Sequence, residues 1–320
     1  MNLFVSKGIS GRLFTMVCAW LNFMLSIPRD EPMTKTEKFT QWSCLLAYVA
    51  GGCTFVVAPQ LWVLVLQLDL GGRCEGYIRL VGIGVIEIGF ILLIAARSNF
   101  KMNRHQECLT SIAGRLLLVN GILLMMILRD MLPLSFTLFY MVLDSSLALV
   151  TLVIWGLDTE GASVVTFCSE ISTSILRCRA PKTGGSPVVI FFLGIFQLFF
   201  WLVLVIRPDL AQRMFNLDLS QGYSGGYLAA YFFLVSIHGL YHVVGASNVN
   251  RSLSLLFVFY RISLNVPVLT TLFLVGQIER NLFIALMGFD VLSSVIIFVS
   301  VKLEKQTENN TNEEVEMLNN

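Results

Sequence analysis

Ionisable side chains set inside long apolar runs are where this chain could do chemistry. Glu87 stands in LVGIGVIEIGFILLIA, Asp144 in FYMVLDSSLALV, Asp290 in ALMGFDVLSSVIIF, and His238 and His242 in SIHGLYHVVG. A charge at the centre of a hydrocarbon layer costs roughly 2.5–3.5 kcal/mol on insertion scales, so each acid must be neutralised, paired or open to water. Two arginines offer pairing: Arg115 precedes Asp144 by twenty-nine residues, and Arg261 precedes Asp290 by the same interval. On adjacent antiparallel helices, such a pair lies within about 5–8 Å along the membrane normal, given a rise of 1.5 Å per residue. The first reading is a structural Arg–Asp clamp that fixes the register of each hairpin. A proton or ion relay is the functional alternative, and snorkelling of the arginines to the headgroups is a third.

The equal spacing belongs to a wider repetition. Pro59-Gln60-Leu61 and Gln67-Leu68-Asp69-Leu70 return as Pro208-Asp209-Leu210 and Asn216-Leu217-Asp218-Leu219, and Gly76-Tyr77 returns as Gly226-Tyr227. The offset runs from 149 through 150 to 146, as expected if loop insertions followed duplication of a unit of roughly 150 residues.

Glu87 is not duplicated: the repeat puts Ile237 at the matching position, beside His238. If the two units share one orientation, matching residues lie at one depth, and Glu87 can meet His238 where the second and sixth helices face each other. His242, one helical turn on, shares the His238 face. Glu87, His238 and His242 therefore form the candidate pathway for a proton or small solute. The His-x-x-x-His spacing also suits a metal pair, but the chain has three histidines in all, too few for a His-rich di-iron site. Interhelical hydrogen bonding is the plainer role. No metal and no cofactor is implied.

These residues must be positioned by membrane helices. The chain has 13% charged residues and a mean hydropathy of +0.75, where soluble domains carry about 25% charged residues. A net charge of +1 argues against a nucleic-acid partner or a strongly charged substrate. Seven cysteines without a Cys-x-x-Cys pair read as neither a disulfide framework nor a zinc site. There is no Gly-rich phosphate loop, nucleophile elbow or triad spacing, so enzymatic activity is disfavoured.

Crossing a hydrocarbon core of about 30 Å takes roughly 20 apolar helical residues. The sequence predicts an all-α integral membrane protein with eight such helices in two parallel four-helix repeats. The first repeat, 41–156, holds spans at 41–58, 77–96, 109–128 and 134–156, and the second, 187–303, holds spans at 187–206, 226–246, 253–275 and 281–302. A connector, 157–186, separates them, with a short surface helix expected at 163–176. Residues 1–40 form an N-terminal segment whose apolar run at 13–27 reads as an uncleaved interfacial or re-entrant helix. The Glu- and Asn-rich tail, 304–320, has little to bury and is expected to be disordered. Gly82, Gly84, Gly89, Gly239 and Gly245 read as small residues for close helix contact. Pro267 is expected to kink the seventh helix, and Asn120-Gly121 occupies the matching place in the third.

Loop charge sets the orientation. Fourteen Lys and Arg fall in the N-terminal segment, the connectors after helices two, four and six, and the tail, against five in the opposite loops. Positive residues stay in the cytosol, so both termini are expected there. Four helices per unit is an even number, which makes the repeats parallel, related by an axis along the membrane normal.

The repeat unit resembles a loosely defined class of small four-helix membrane proteins, here in tandem, with a Pro-x-Leu entry, a Gly-Tyr start to the second helix and Arg…Asp in the last two. Pro59, Leu61, Gly76, Tyr77, Arg79, Arg115 and Asp144 carry the resemblance in the first half, and Pro208, Leu210, Gly226, Tyr227, Arg261 and Asp290 in the second. Ala229 stands near the place of Arg79. The resemblance implies topology and no chemistry. Two functions stay open: a helper or scaffold subunit acting through membrane partners, or a small-solute or proton-coupled carrier using Glu87, Asp144 and Asp290. The lipid bilayer is the partner common to both.

Overall fold

The computed structural model describes residues 32–95, 108–176, 185–246 and 251–319, with 94–95, 174–176, 251–253 and 307–319 given by backbone alone. The helix expected at 13–27 and the third histidine, His105, lie outside these residues. All regular structure among the described residues is helical. Among the described residues, eight helices are long and apolar enough to cross a membrane, which indicates a multi-pass membrane protein. They are α1 (Lys35–Val57), α3 (Cys74–Ala95), α4 (Cys108–Leu128), α5 (Leu134–Asp158), α7 (Ser186–Ile206), α9 (Ser224–Gly245), α10 (Ser254–Leu274) and α11 (Arg280–Asn319). Three shorter helices among the described residues are α2 (Gln60–Leu66), α6 (Val164–Leu176) and α8 (Pro208–Phe215).

The two central helices are α3 and α9. Their spans are 83% and 72% buried, whereas the other six are 22–33% buried and present large apolar residues such as Leu117, Val142, Phe199 and Leu292 outward. The central pair reads Gly- and Ala-rich because close backbone approach, more than side-chain volume, drives helix association in lipid. At their crossing, a Cβ on Gly84 would lie 2.8 Å from the Cβ of Leu234. Gly82 lies against Gly52 of α1, Gly89 against Tyr48 of α1, and Gly239 against Gly194 of α7.

Each central helix starts beneath the turn joining two outer helices. A Cβ on Gly76 would fall 2.0 Å from the Gln277 carbonyl oxygen, and one on Gly226 would fall 1.6 Å from that of Met131. The approaches to these helices also correspond. α2 and α8 end on left-handed residues, Gln67 at φ 53 and Asn216 at φ 51. The next aspartates then accept from the backbone two residues on, Gly71 N to Asp69 at 2.9 Å and Ser220 N to Asp218 at 3.1 Å. At the other end of the bundle, Thr36 at the start of α1 donates through N and Oγ1 to Asp158 at the end of α5, at 2.8 and 3.0 Å. Ser186 at the start of α7 likewise donates to Glu304 of α11, at 3.4 and 2.9 Å.

Three helices widen into π turns: Cys44–Ala50 in α1, Gly114–Val119 in α4 and Arg261–Asn265 in α10. Pro267 lacks an N–H and disturbs the turn preceding it, and the wide turn in α10 ends two residues before it. The wide turn in α4 ends just before Asn120. The connector helix α6 packs Phe167 edge-on to Trp155 at 5.5 Å. Where the composition of 304–320 led to an expectation of disorder, α11 stays helical to Asn319. No Gly or Pro follows Gly288, so nothing in the chain chemistry stops the helix once the membrane segment has nucleated it.

Candidate functional site

The buried polar residues of the second half meet those of α3 in one network. α9 carries His238 and His242 on one face, four residues apart. α10 carries Tyr260, Arg261 and Asn265 at and within its π turn, α7 contributes Gln197, α11 contributes Asp290, and α3 supplies Glu87. All are buried, Asp290 being the most exposed of the ionisable members at 6%.

The bonds close on themselves. Glu87 Oε2 lies 3.1 Å from His238 Nδ1, His238 Nε2 lies 3.0 Å from His242 Nε2, and His242 Nδ1 lies 2.9 Å from Gln197 Oε1. Arg261 donates through Nη2 to Gln197 Oε1 at 3.4 Å and through Nη1 to Asp290 Oδ1 at 2.7 Å. Asn265 completes the ring, donating from Nδ2 to Asp290 Oδ2 at 3.0 Å and to Glu87 Oε1. Tyr260 joins from the side, its hydroxyl 2.6 Å from His238 Nε2. Arg261 also sits over the Phe289 ring, 5.3 Å from its centroid.

The ring constrains its own protons. Arg261 can only donate, so the oxygen of Gln197 faces it, and His242 Nδ1 must donate to that same oxygen. A neutral His242 then has a bare Nε2, which requires a proton on His238 Nε2. A neutral His238 in turn has a bare Nδ1, which requires a proton on Glu87. With Glu87 as the neutral acid, Arg261 and Asp290 balance and the ring carries no net charge, the state that suits a low-dielectric interior. The site can therefore hold a proton between Glu87 and His238.

Glu87, His238 and His242 are thus brought together, and so are Arg261 and Asp290. Arg115 and Asp144 are not. The two expected clamps differ because Tyr48 of α1 comes between the first pair: its hydroxyl donates to Asp144, and the Arg115 guanidinium lies 5.0 Å from its ring centroid. Arg115 and Asp144 form no ion pair; the Arg115 terminal nitrogen Nη2 is instead 3.9 Å from Cys44 Sγ. Among the described residues no group of three His, Cys, Asp or Glu converges to hold a metal; the nitrogens of His238 and His242 bond to each other, to Glu87, to Gln197 and to Tyr260.

Gln197, Tyr260, Asn265 and Tyr48 were not legible as site residues from charge alone. Gln197 carried a signal, being the only amide in the twenty-one residues of α7. Asn265 follows Arg261 by four residues, the interval that puts two side chains on one helical face.

The chain matches no family model, no curated protein and no solved structure.

Proposed function

We propose that this protein is built of two parallel four-helix repeats with both termini in the cytosol. On this reading it serves as a non-catalytic helper or scaffold subunit acting through membrane partners, with the buried ring as the lock that fixes its bundle. Corresponding contacts support the repeat: Gly76–Gln277 with Gly226–Met131, and Thr36–Asp158 with Ser186–Glu304. Gly84 touches Leu234, the residue 150 positions on, as happens where an axis relates two copies. The observation that carries the lock is the closure of the ring, in which Glu87, His238, His242, Gln197, Arg261, Asp290 and Asn265 form one hydrogen-bonded circuit behind exposures of 6% or less. A closed buried network specifies packing, whereas a relay needs an end open to water.

The carrier reading keeps one observation in its favour, the unbroken run of titratable groups from Tyr260 through His238 to Glu87. One experiment separates the two. Glutamine mimics the protonated acid, donating to His238 and accepting from Asn265. A lock therefore expects Glu87→Gln to fold with near-native thermal stability, and expects liposomes bearing either protein to hold an imposed pH gradient as empty liposomes do. Collapse of the gradient by the wild type, abolished by Glu87→Gln, would replace the lock with proton-coupled transport.

A further inference from the structure

A cleft lies between α1, α3, α4, α5 and α9, and none of the ring residues lines it. Its walls are apolar, formed by residues such as Val81, Val85, Leu118, Leu123, Phe136 and Phe233. At one point they give way to Arg115, Asp144, Tyr48 and Tyr140. Arg115 is 4% exposed, and whereas Arg261 donates to Asp290 and Gln197, among the described residues the Arg115 guanidinium reaches only a cysteine sulfur, through Nη2, with Nε unpartnered as it is in Arg261. Asp144 accepts from Tyr48 through Oδ1, and among the described residues no donor is bonded to its other oxygen.

The comparison of halves explains the space, and this step rests on the repeat proposed above. At offsets of 146 to 150 residues, Tyr260, Asn265, His238 and His242 of the ring correspond to Gly114, Val119, Ile88 and Leu92, and Glu87 corresponds across the axis to Ile237. All five replacements line the cleft. The first half therefore keeps the Arg and Asp of the ring but lacks the side chains that join them to a wider polar network. Replacement of a tyrosine by Gly114 also opens room beside them: a Cβ there would meet nothing closer than the Tyr241 hydroxyl at 3.9 Å.

We infer that this cleft binds a neutral amphiphile from the bilayer, with an apolar chain along α3, α4 and α9 and a hydroxyl-bearing head between Arg115 and Asp144. The head accepts from the Arg115 guanidinium and donates a hydroxyl to Asp144, supplying polar partners such as Gln197 gives Arg261 and Asn265 gives Asp290 in the other half. Charge decides the class. Arg115 and Asp144 cancel, so a carboxylate or phosphate head would put a second anion beside Asp144 in a low-dielectric site, and an amine would put a second cation beside Arg115.

The test uses the full chain in phosphatidylcholine nanodiscs with a photoreactive long-chain monoacylglycerol as probe. Labelling is expected to saturate, to map to peptides of α3, α4 and α9, and to be displaced by unlabelled monoacylglycerol at least tenfold better than by the fatty acid or amine of equal chain length. Gly114→Phe fills the cleft and is expected to abolish saturable labelling; Val119→Phe does the same from further along α4 should the first variant not fold. Asp144→Asn removes the anion and is expected to let the fatty acid compete as well as the monoacylglycerol, a change of preference that a merely structural aspartate would not produce. Labelling that never saturates, labelling that survives in a folded cleft-filling variant, or equal competition by the fatty acid against the wild type would each overturn the proposal. None of these outcomes bears on the lock, which is judged by Glu87→Gln and the pH gradient.

Discussion

Arg261 meets Asp290 at 2.7 Å, with both side chains buried in the bundle. The contact joins α10 to α11 across the turn at Gly276 and anchors a ring that also recruits α3, α7 and α9. Asp290→Ala leaves a buried guanidinium without its counter-charge. We expect a loss of about 3–5 kcal/mol, as measured when buried pairs lose one partner, and partial recovery in Arg261→Leu with Asp290→Leu. Thermal unfolding of purified protein in detergent, followed by size exclusion, reads the result. If single and double losses simply add, the pair is not coupled.

The first half should respond differently. Asp144 receives the Tyr48 hydroxyl and forms no ion pair with Arg115, so Asp144→Ala strands one donor, at a cost of about 1–3 kcal/mol. A double-mutant cycle should give a coupling between Arg115 and Asp144 clearly smaller than that between Arg261 and Asp290. Equal couplings in the two cycles would contradict the geometry described.

Backbone contact at the starts of α3 and α9 yields a third expectation. Gly76→Ala and Gly226→Ala each push a methyl into a carbonyl, Gln277 and Met131 respectively, and should lower the yield of folded protein by similar amounts. Gly121→Ala and Gly288→Ala meet nothing within 4 Å, so they should be neutral or stabilise by up to about 1 kcal/mol. Fluorescence-detected size exclusion of the four variants is sufficient to decide.

Proximity of Glu87 to His238 is open to direct chemistry. Glu87→Cys combined with His238→Cys should crosslink with a short bifunctional reagent after solubilisation, joining α3 to α9. Glu87→Cys combined with Val299→Cys should not, because Val299 is 48% exposed on the outer face of α11. A crosslink in the second combination would mean that α3 does not occupy the centre of the bundle.

Orientation has its own check. Asn309-Asn310-Thr311 is a glycosylation acceptor sequence, and with the tail in the cytosol it should stay unmodified during insertion into microsomes. A glycan on Asn309 would invert the assignment from loop charges.

What the sequence by itself determined is the set of helices and their depth. The spans read from hydropathy agree with the helices to within a few residues, apart from an earlier start to α1 and a longer α11, because hydrocarbon forces the backbone to satisfy its own hydrogen bonds and so ties length to composition. Residues 164–176 were legible as a helix for a similar reason, their mixed composition suiting a surface. Depth along a helix follows from counting, so Glu87 could be placed level with His238, and each arginine near its aspartate. The direction in which a side chain points around the helix does not follow from counting. It depended on the π turns at Gly114–Val119 and Arg261–Asn265 and on which helices became neighbours. Only the tertiary structure therefore decided that Tyr48 stands between Arg115 and Asp144, while Gln197 and Asn265 close a ring around Arg261 and Asp290. Neutral amides and tyrosines carry little signal within an apolar run, and their role arises when packing removes every alternative partner.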